Sequence, residues 1–365
     1  MGNSLNDNRK YYVDLLKTMA IFGVMVIHVW SIGNYEIGSD YYFMSLIWGS
    51  ITHSSVPIFL MVSGMLMLDP KKKVPISRLY FHNILRIVIA LAVWTIAYKV
   101  YHYYVPEVLG GTTLAAQAVE ENGGVALTFW QNVGEILKQD DEFHLYFMYI
   151  ILLVYLFLPV TRIVTAKASR SGLEYFLILW FILGIVYPTV TIYKPFDEVE
   201  GILEQWQINM TYAAIGYTVL GYYLSKYPIS KITSVILVLL GFAITFLGTY
   251  SLSLENETVD MHYIEGMTVG TACIASGICG FVVSISNDKL SKLRYITTPF
   301  SKSALCIYMC HLIVLYVLNL YGMLDVFNSW APIASIPVIS LILMVLSFVV
   351  YLVLSCIPVL RKVII

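Results

Sequence analysis

The stretch "DLLKTMAIFGVMVIH", Asp14 to His28, decides how the chain is read. It belongs to an apolar run over 12–31, about 20 residues, long enough to cross the hydrocarbon of a bilayer as a helix. Three ionisable residues nevertheless sit in it: Asp14, Lys17 and His28. An ionisable group at membrane depth costs a few kcal/mol or more and marks a functional position by default. Arg9 and Lys10 precede the run as they would in a signal peptide. The run is too long for that, however, and "WSIGNYEIG" (30–38) offers no small-residue cleavage site. The reading is a retained first helix.

The rest of the chain agrees with a membrane setting. Of 365 residues, 59% are hydrophobic and only 12% charged, with a mean hydropathy of +0.76. Soluble domains carry about 25% charged residues, so this composition cannot cover a water-facing surface. A net charge of −1 argues against nucleic acid as a partner. The five cysteines, Cys273, Cys279, Cys306, Cys310 and Cys356, fall in apolar segments with no zinc or disulfide spacing. They read as packing residues, and no metal is expected.

Ten apolar segments are long enough to span: 12–31, 42–67, 84–105, 144–164, 173–192, 208–225, 232–252, 266–286, 303–321 and 333–357. One set of connections is basic: Arg9 and Lys10, "DPKKKVPISR" (69–78), "TRIVTAKASR" (161–170), "SKYPISK" (225–231), "NDKLSKLR" (287–294) with Lys302, and the tail "RKVII" (361–365). The other set is acidic: Glu36 and Asp40, Glu107 to Glu142, "KPFDEVEGILE" (194–204), "ENETVDMHYIE" (255–265) and Asp325. The two sets alternate at every span, and the positive-inside rule then places both termini in the cytoplasm. The expectation is an all-α integral membrane protein, a bundle of about ten transmembrane helices, forming a single membrane domain over 1–365. Its one long connection, 106–143, is external. The part "EVLGGTTLAAQAVEENGG" (107–124) reads as mobile, and "ALTFWQNVGEILKQDDEF" (126–143) as an amphipathic helix suited to the membrane surface.

Lys17 and His28 are eleven residues apart. At 3.6 residues per turn this is about three turns, so the two share one helix face about 16 Å apart. Asp14 lies at i,i+3 to Lys17 and is placed to pair with it. A cation at one depth and an imidazole three turns higher suit a long ligand with an anionic end and a reactive end. The plainer reading is a lysine that snorkels to headgroups and a histidine that faces interfacial water.

The register resembles a known pattern. Lys17-x10-His28 matches the Arg/Lys-x10-His signature of the acyltransferase-3 family of membrane acetyltransferases. "SSVPIFLMVSGMLML" (54–68), "RLYFHNILRIVIALAVW" (78–94), "FHLYFMYIILLVYLFLP" (143–159), "GYYLSK" (221–226) and "SALCIYMCHLIVLY" (303–316) resemble its second, third, fourth, sixth and ninth helices, in family order. Within the family the chain is most similar in character to the enterobacterial common antigen O-acetyltransferase subgroup. One departure stands at the start of the third helix. There the family often carries Arg-x-x-Arg, and this chain reads Asn83-Ile84-Leu85-Arg86. His82 and Arg78 are the candidates to replace the missing arginine.

The resemblance implies an acyltransferase that takes acetyl-CoA from the cytoplasm and acylates a hydroxyl of an outward-facing glycan or lipid-linked sugar. Lys17, Arg86 and Arg78, with Asp14 beside Lys17, become the expected donor-binding residues. His28 becomes the expected general base, a role suited to a group titrating near neutrality; an acyl-histidine intermediate is the alternative. His144 is a candidate for substrate contact, and His311, beside Tyr308, for direct chemistry or a buried structural bond. His53 reads as a packing residue, His102 and His262 as interfacial. Ser63-Gly64 permits close helix approach. The rival class is a glycan transporter or flippase, but no symmetric pair of Gly- or Pro-broken segments supports it.

Overall fold

The computed structural model describes residues 9–363 apart from 34, 72–74, 108–109, 139–141, 194–200 and 202–209. Of the charges that oriented the helices above, Lys72, Lys73, Asp140, Asp141, Lys194, Asp197, Glu198, Glu200 and Glu204 therefore lie outside the described residues. Among the described residues there are helices and no strand. Among the described residues, eight helices are long and apolar enough to cross a membrane, the make-up of a multi-pass membrane protein. They are α1 (Tyr11–Ser31), α2 (Asp40–Met67), α3 (Ile76–Tyr104), α6 (Phe143–Lys167), α7 (Arg170–Val190), α9 (Lys231–Asn256), α11 (Arg294–Leu320) and α12 (Pro332–Ser355). Two more of the expected ten are shorter: α8 (Met210–Lys226) and α10 (Val269–Val283). The 15 residues of α10 reach about 22 Å, less than the roughly 30 Å of a hydrocarbon core.

The connection after α3 holds two short helices, α4 (Leu114–Glu121) and α5 (Phe129–Lys138). Within the part read as mobile, Thr113 caps α4 by accepting from the Ala116 N–H. Helix α5 keeps Phe129, Trp130 and Leu137 exposed and is tied down where the Tyr103 hydroxyl donates to Asn132.

Helices α1, α2 and α11 form the inner layer. About 61% of each one's most apolar stretch is buried, against 28–33% for α3, α6, α7, α9 and α12. The outer helices turn their large apolar side chains outward, as a lipid-facing surface requires. The glycine positions set the closest approaches. A Cβ on Gly64 would stand 1.8 Å from the Thr218 carbonyl oxygen, and one on Gly221 2.0 Å from that of Met61, so α2 and α8 touch backbone to backbone. Helices α9 and α10 meet in the same way at Gly241, Gly270 and Gly277. This is small-residue packing, the usual means of closing helices against each other in lipid.

Helix α2 is not continuous. It opens at His53 and Ser54. The cause lies four residues further on: Pro57 has no N–H to give the His53 carbonyl, and its ring crowds that carbonyl. Helix α3 is irregular too, with a π turn at Leu79–Ile84. Such turns are frequent at functional sites, and this one carries His82 and Asn83.

Candidate functional site

The start of α1 is fixed by side chains. Its first N–H groups have no intrahelical acceptor, and the Tyr11 N–H donates to Asn287 Oδ1 at 2.9 Å. Asn287 Nδ2 in turn donates to the Arg9 carbonyl at 3.0 Å. Asp14 is buried, and both of its oxygens are occupied twice. Arg9 holds it with Nε at 2.6 Å and Nη2 at 2.9 Å; Ser301 Oγ donates at 2.7 Å and Thr298 Oγ1 at 3.1 Å. The carboxylate thus joins α1 to α11, and its bidentate partner is Arg9. The i,i+3 neighbour Lys17 makes a different bond, from Nζ to the Ser301 carbonyl at 2.6 Å. Thr18 completes the seam by donating to the Thr297 carbonyl at 2.9 Å.

The two marked residues of α1 open onto different cavities, an inner one beside the start of the helix and an outer one beside its end. Lys17 lines an inner cavity of about 370 Å³ with His82, Asn83, Arg86 and Lys302. Phe59 and Phe147 supply part of its apolar wall. Arg86 Nε is buried there without a hydrogen-bond partner among the described residues. Of the two candidates to replace the missing arginine, His82 lines this cavity and Arg78 does not; Arg78 is exposed. Asp14 is absent from the lining as well.

His28 lines an outer cavity of about 560 Å³, together with His53 and His144. Its walls are largely aromatic, including Trp30, Tyr35 and Tyr146, and Glu265 supplies a carboxylate. His28 and His144 form an imidazole cluster with His311, which does not itself line the cavity. The His28 ring centroid is 4.8 Å from that of His311 and 6.0 Å from that of His144. His144 and His311 are 5.1 Å apart. His311 is fully buried behind the cavity wall, with Nδ1 2.6 Å from the Tyr308 carbonyl. A carbonyl accepts only, so Nδ1 carries the proton, and in the neutral ring Nε2 is left as the acceptor. Nε2 is buried and unpartnered among the described residues.

Helix α6 opens with a 3-10 turn, Phe143–Leu145, that places His144 in this cluster. Both of its ring nitrogens are buried without a hydrogen bond among the described residues, and Glu142 Oε2 lies 3.9 Å from Nδ1. Glu142 is itself held by His102 Nε2 at 2.5 Å and by the Tyr316 hydroxyl at 3.1 Å. Buried polar atoms are nearly always satisfied in folded proteins. The open nitrogens of His144, His311 and Arg86 are therefore where a ligand would supply the missing bonds.

The acyltransferase domain of the acyltransferase-3 family matches residues 10–352. The chain belongs to the acyltransferase-3 family. No curated protein and no solved structure shows a significant match. Membership makes this multi-pass chain a membrane acyltransferase and gives the two cavities a chemical context.

Sequence reading missed part of this constellation. Lys302 was counted only among the charges that orient helices, yet it lines the inner cavity. His53, read as packing, does bond the Gly49 carbonyl through Nδ1 at 2.8 Å, but it also lines the outer cavity. His102, read as interfacial, pairs with Glu142. Tyr98, whose hydroxyl donates to the Met309 carbonyl at 2.7 Å, packs its ring 5.2 Å from that of His144.

Proposed function

We propose that the protein transfers an acetyl group from cytoplasmic acetyl-CoA to a hydroxyl of a cell-surface or lipid-linked glycan, with His28 as general base. The observation that carries the reading is the division of α1 between the two cavities, with Lys17 on the cationic one and His28 on the one that also presents His53 and His144. The CoA phosphates take Arg86, Lys17 and Lys302, where charge-assisted bonds are strongest. The pantetheine arm runs along α1 toward His28. The acceptor enters the outer cavity, whose aromatic walls suit a sugar ring. His28 takes the hydroxyl proton as the oxygen attacks the thioester carbonyl. The new C–O bond forms, the C–S bond breaks, and the proton passes from the imidazole to the departing CoA thiolate. His311 and His144 stand close enough to share or orient that proton.

The same reading sets ten spans in a bacterial plasma membrane as one domain, with both termini cytoplasmic and 106–143 outside, from the charge alternation. The resemblance of the motifs to the enterobacterial common antigen O-acetyltransferase subgroup supports a glycan acceptor. The test has two parts. Purified protein in nanodiscs should bind acetyl-CoA and release CoA, faster with acceptor. Surface glycan from a deletion strain, compared with its parent by mass spectrometry, should lack an acetyl substituent. Intact acetylation in the deletion strain, or no affinity for acetyl-CoA, would refute the reading; in the latter case a transporter becomes the better account.

A further inference from the structure

The two cavities have one lining residue in common, Tyr308. Lys17 and Arg86 line only the inner cavity, and His28 and His144 only the outer. The linings of the two cavities meet at this ring. Tyr308 is firmly seated. It is buried on α11, and its hydroxyl donates to the His144 main-chain carbonyl. Its ring lies 5.6 Å from the Phe147 ring and 5.6 Å from that of His144. Its own carbonyl receives His311 Nδ1. The wall and the imidazole behind it are thus parts of one hydrogen-bonded unit.

From this we infer that Tyr308 determines which acyl group is transferred. The inference rests on the inner cavity being the donor's and the outer one the acceptor's. The acyl group is the leading end of the donor, so it is the part that meets the Tyr308 ring. A two-carbon group needs only a small tilt of the ring for its carbonyl carbon to reach the acceptor oxygen beside His28. A longer chain needs the volume the ring fills. The aromatic pair of Tyr308 and Phe147 does not yield that volume without leaving a buried hydroxyl unpaired. The same wall keeps external water from the thioester until an acceptor is seated, which limits hydrolysis.

Two independent measurements test this. The first compares acetyl-CoA and butyryl-CoA as donors for the parent, Tyr308→Phe and Tyr308→Ala proteins. In Tyr308→Ala the preference for acetyl should fall by about tenfold or more, the scale on which pockets discriminate by one or two methylenes. Hydrolysis of acetyl-CoA without acceptor should rise. Tyr308→Phe keeps the ring but loses the hydroxyl's bond to the His144 carbonyl, so its preference should fall less than that of Tyr308→Ala. An active Tyr308→Ala protein with the parental preference overturns the inference, and so does a Phe variant as permissive as Ala.

The second measurement needs no turnover. Ser63 lines the inner cavity. In a chain whose five cysteines are replaced, Ser63→Cys is labelled with a charged methanethiosulfonate applied to the outer face of sealed vesicles. With Tyr308 in place the thiol should be protected from that side; with Tyr308→Ala it should label rapidly. Inverted vesicles serve as the accessible control for both. Equal outer-face labelling with and without the ring overturns the inference even if Tyr308→Ala is inactive. A parent that transfers no acetyl group refutes the functional reading instead and leaves the labelling result standing.

Discussion

The seam between α1 and α11 and the seam between α9 and α10 are both close, extended helix pairs, but they are closed by opposite means. The first is held by side chains. Asp14 binds Ser301 and Thr298, Lys17 binds the Ser301 carbonyl, and Thr18 binds that of Thr297. The second is held by the lack of side chains: a Cβ on Gly241 would stand 2.5 Å from the Gly270 carbonyl oxygen, and one on Gly277 2.5 Å from that of Ser234. Side-chain closure leaves room for charged groups at depth and for cavities at either end. Backbone closure leaves no such room. The comparison separates residues that do chemistry from residues that hold the bundle, and it can be broken at either seam.

The largest effect is expected at His28. His28→Gln keeps hydrogen bonding but cannot take a proton, so turnover should fall by about 10²–10⁴. Affinity for acetyl-CoA should be nearly unchanged, since the imidazole is about three turns from Lys17. Isothermal titration and a transfer assay on the same preparation check both halves. Near-parental turnover would demote His28 to a positioning residue. The inner cavity comes next. Arg86→Ala and Lys17→Ala each remove a charged hydrogen bond, which should weaken donor binding by about 1.5–3 kcal/mol and appear mainly in KM. Arg78→Ala should change donor KM little, because Arg78 does not line that cavity; a loss as large as that of Arg86→Ala would contradict the assignment of the cavity.

The glycine seam should respond in the opposite sense. Gly277→Val forces side-chain atoms against backbone and should cost about 1–3 kcal/mol of stability, seen as a lower unfolding temperature in detergent. Turnover per folded molecule should hold. Smallest of all is Ser301→Ala, which removes one of four bonds to Asp14. Hydrogen bonds between helices in membranes average about 0.6 kcal/mol, so the unfolding shift should be slight. A collapse of stability would mean that the Asp14 cluster dominates the fold.

The legible part of this molecule was what a bilayer writes into sequence. The apolar run over 12–31 became Tyr11–Ser31, and that over 232–252 became Lys231–Asn256. The break inside α2 escaped notice because the run over 42–67 is apolar enough to read as one span, although Thr52-His53-Ser54-Ser55 and Pro57 carried the signal. At the site, Lys17, His28, His144 and His311 stood out as polar residues in apolar runs. The pairing of Asp14 was misread for a local reason: spacing on one helix favours Lys17, but Arg9 reaches back from outside the helix and takes both oxygens. Lys302 was hidden because a charge just outside an apolar run looks the same whether it lines a cavity or meets water. Tyr308 and Tyr98 were hidden among 28 tyrosines, most of which pack or meet the interface.

The Asp14 cluster also has a consequence for how the protein is made. Asp14 and Ser301 are 287 residues apart in the chain. At roughly 5–20 residues per second of synthesis, α11 leaves the ribosome about 15–60 s after α1. During that interval α1 holds Asp14, Lys17 and His28 without the helix that satisfies the first two. The first segment into the membrane is thus among the last to be completed. It must be kept near headgroups, water or an insertion partner until the ninth of the ten apolar segments arrives.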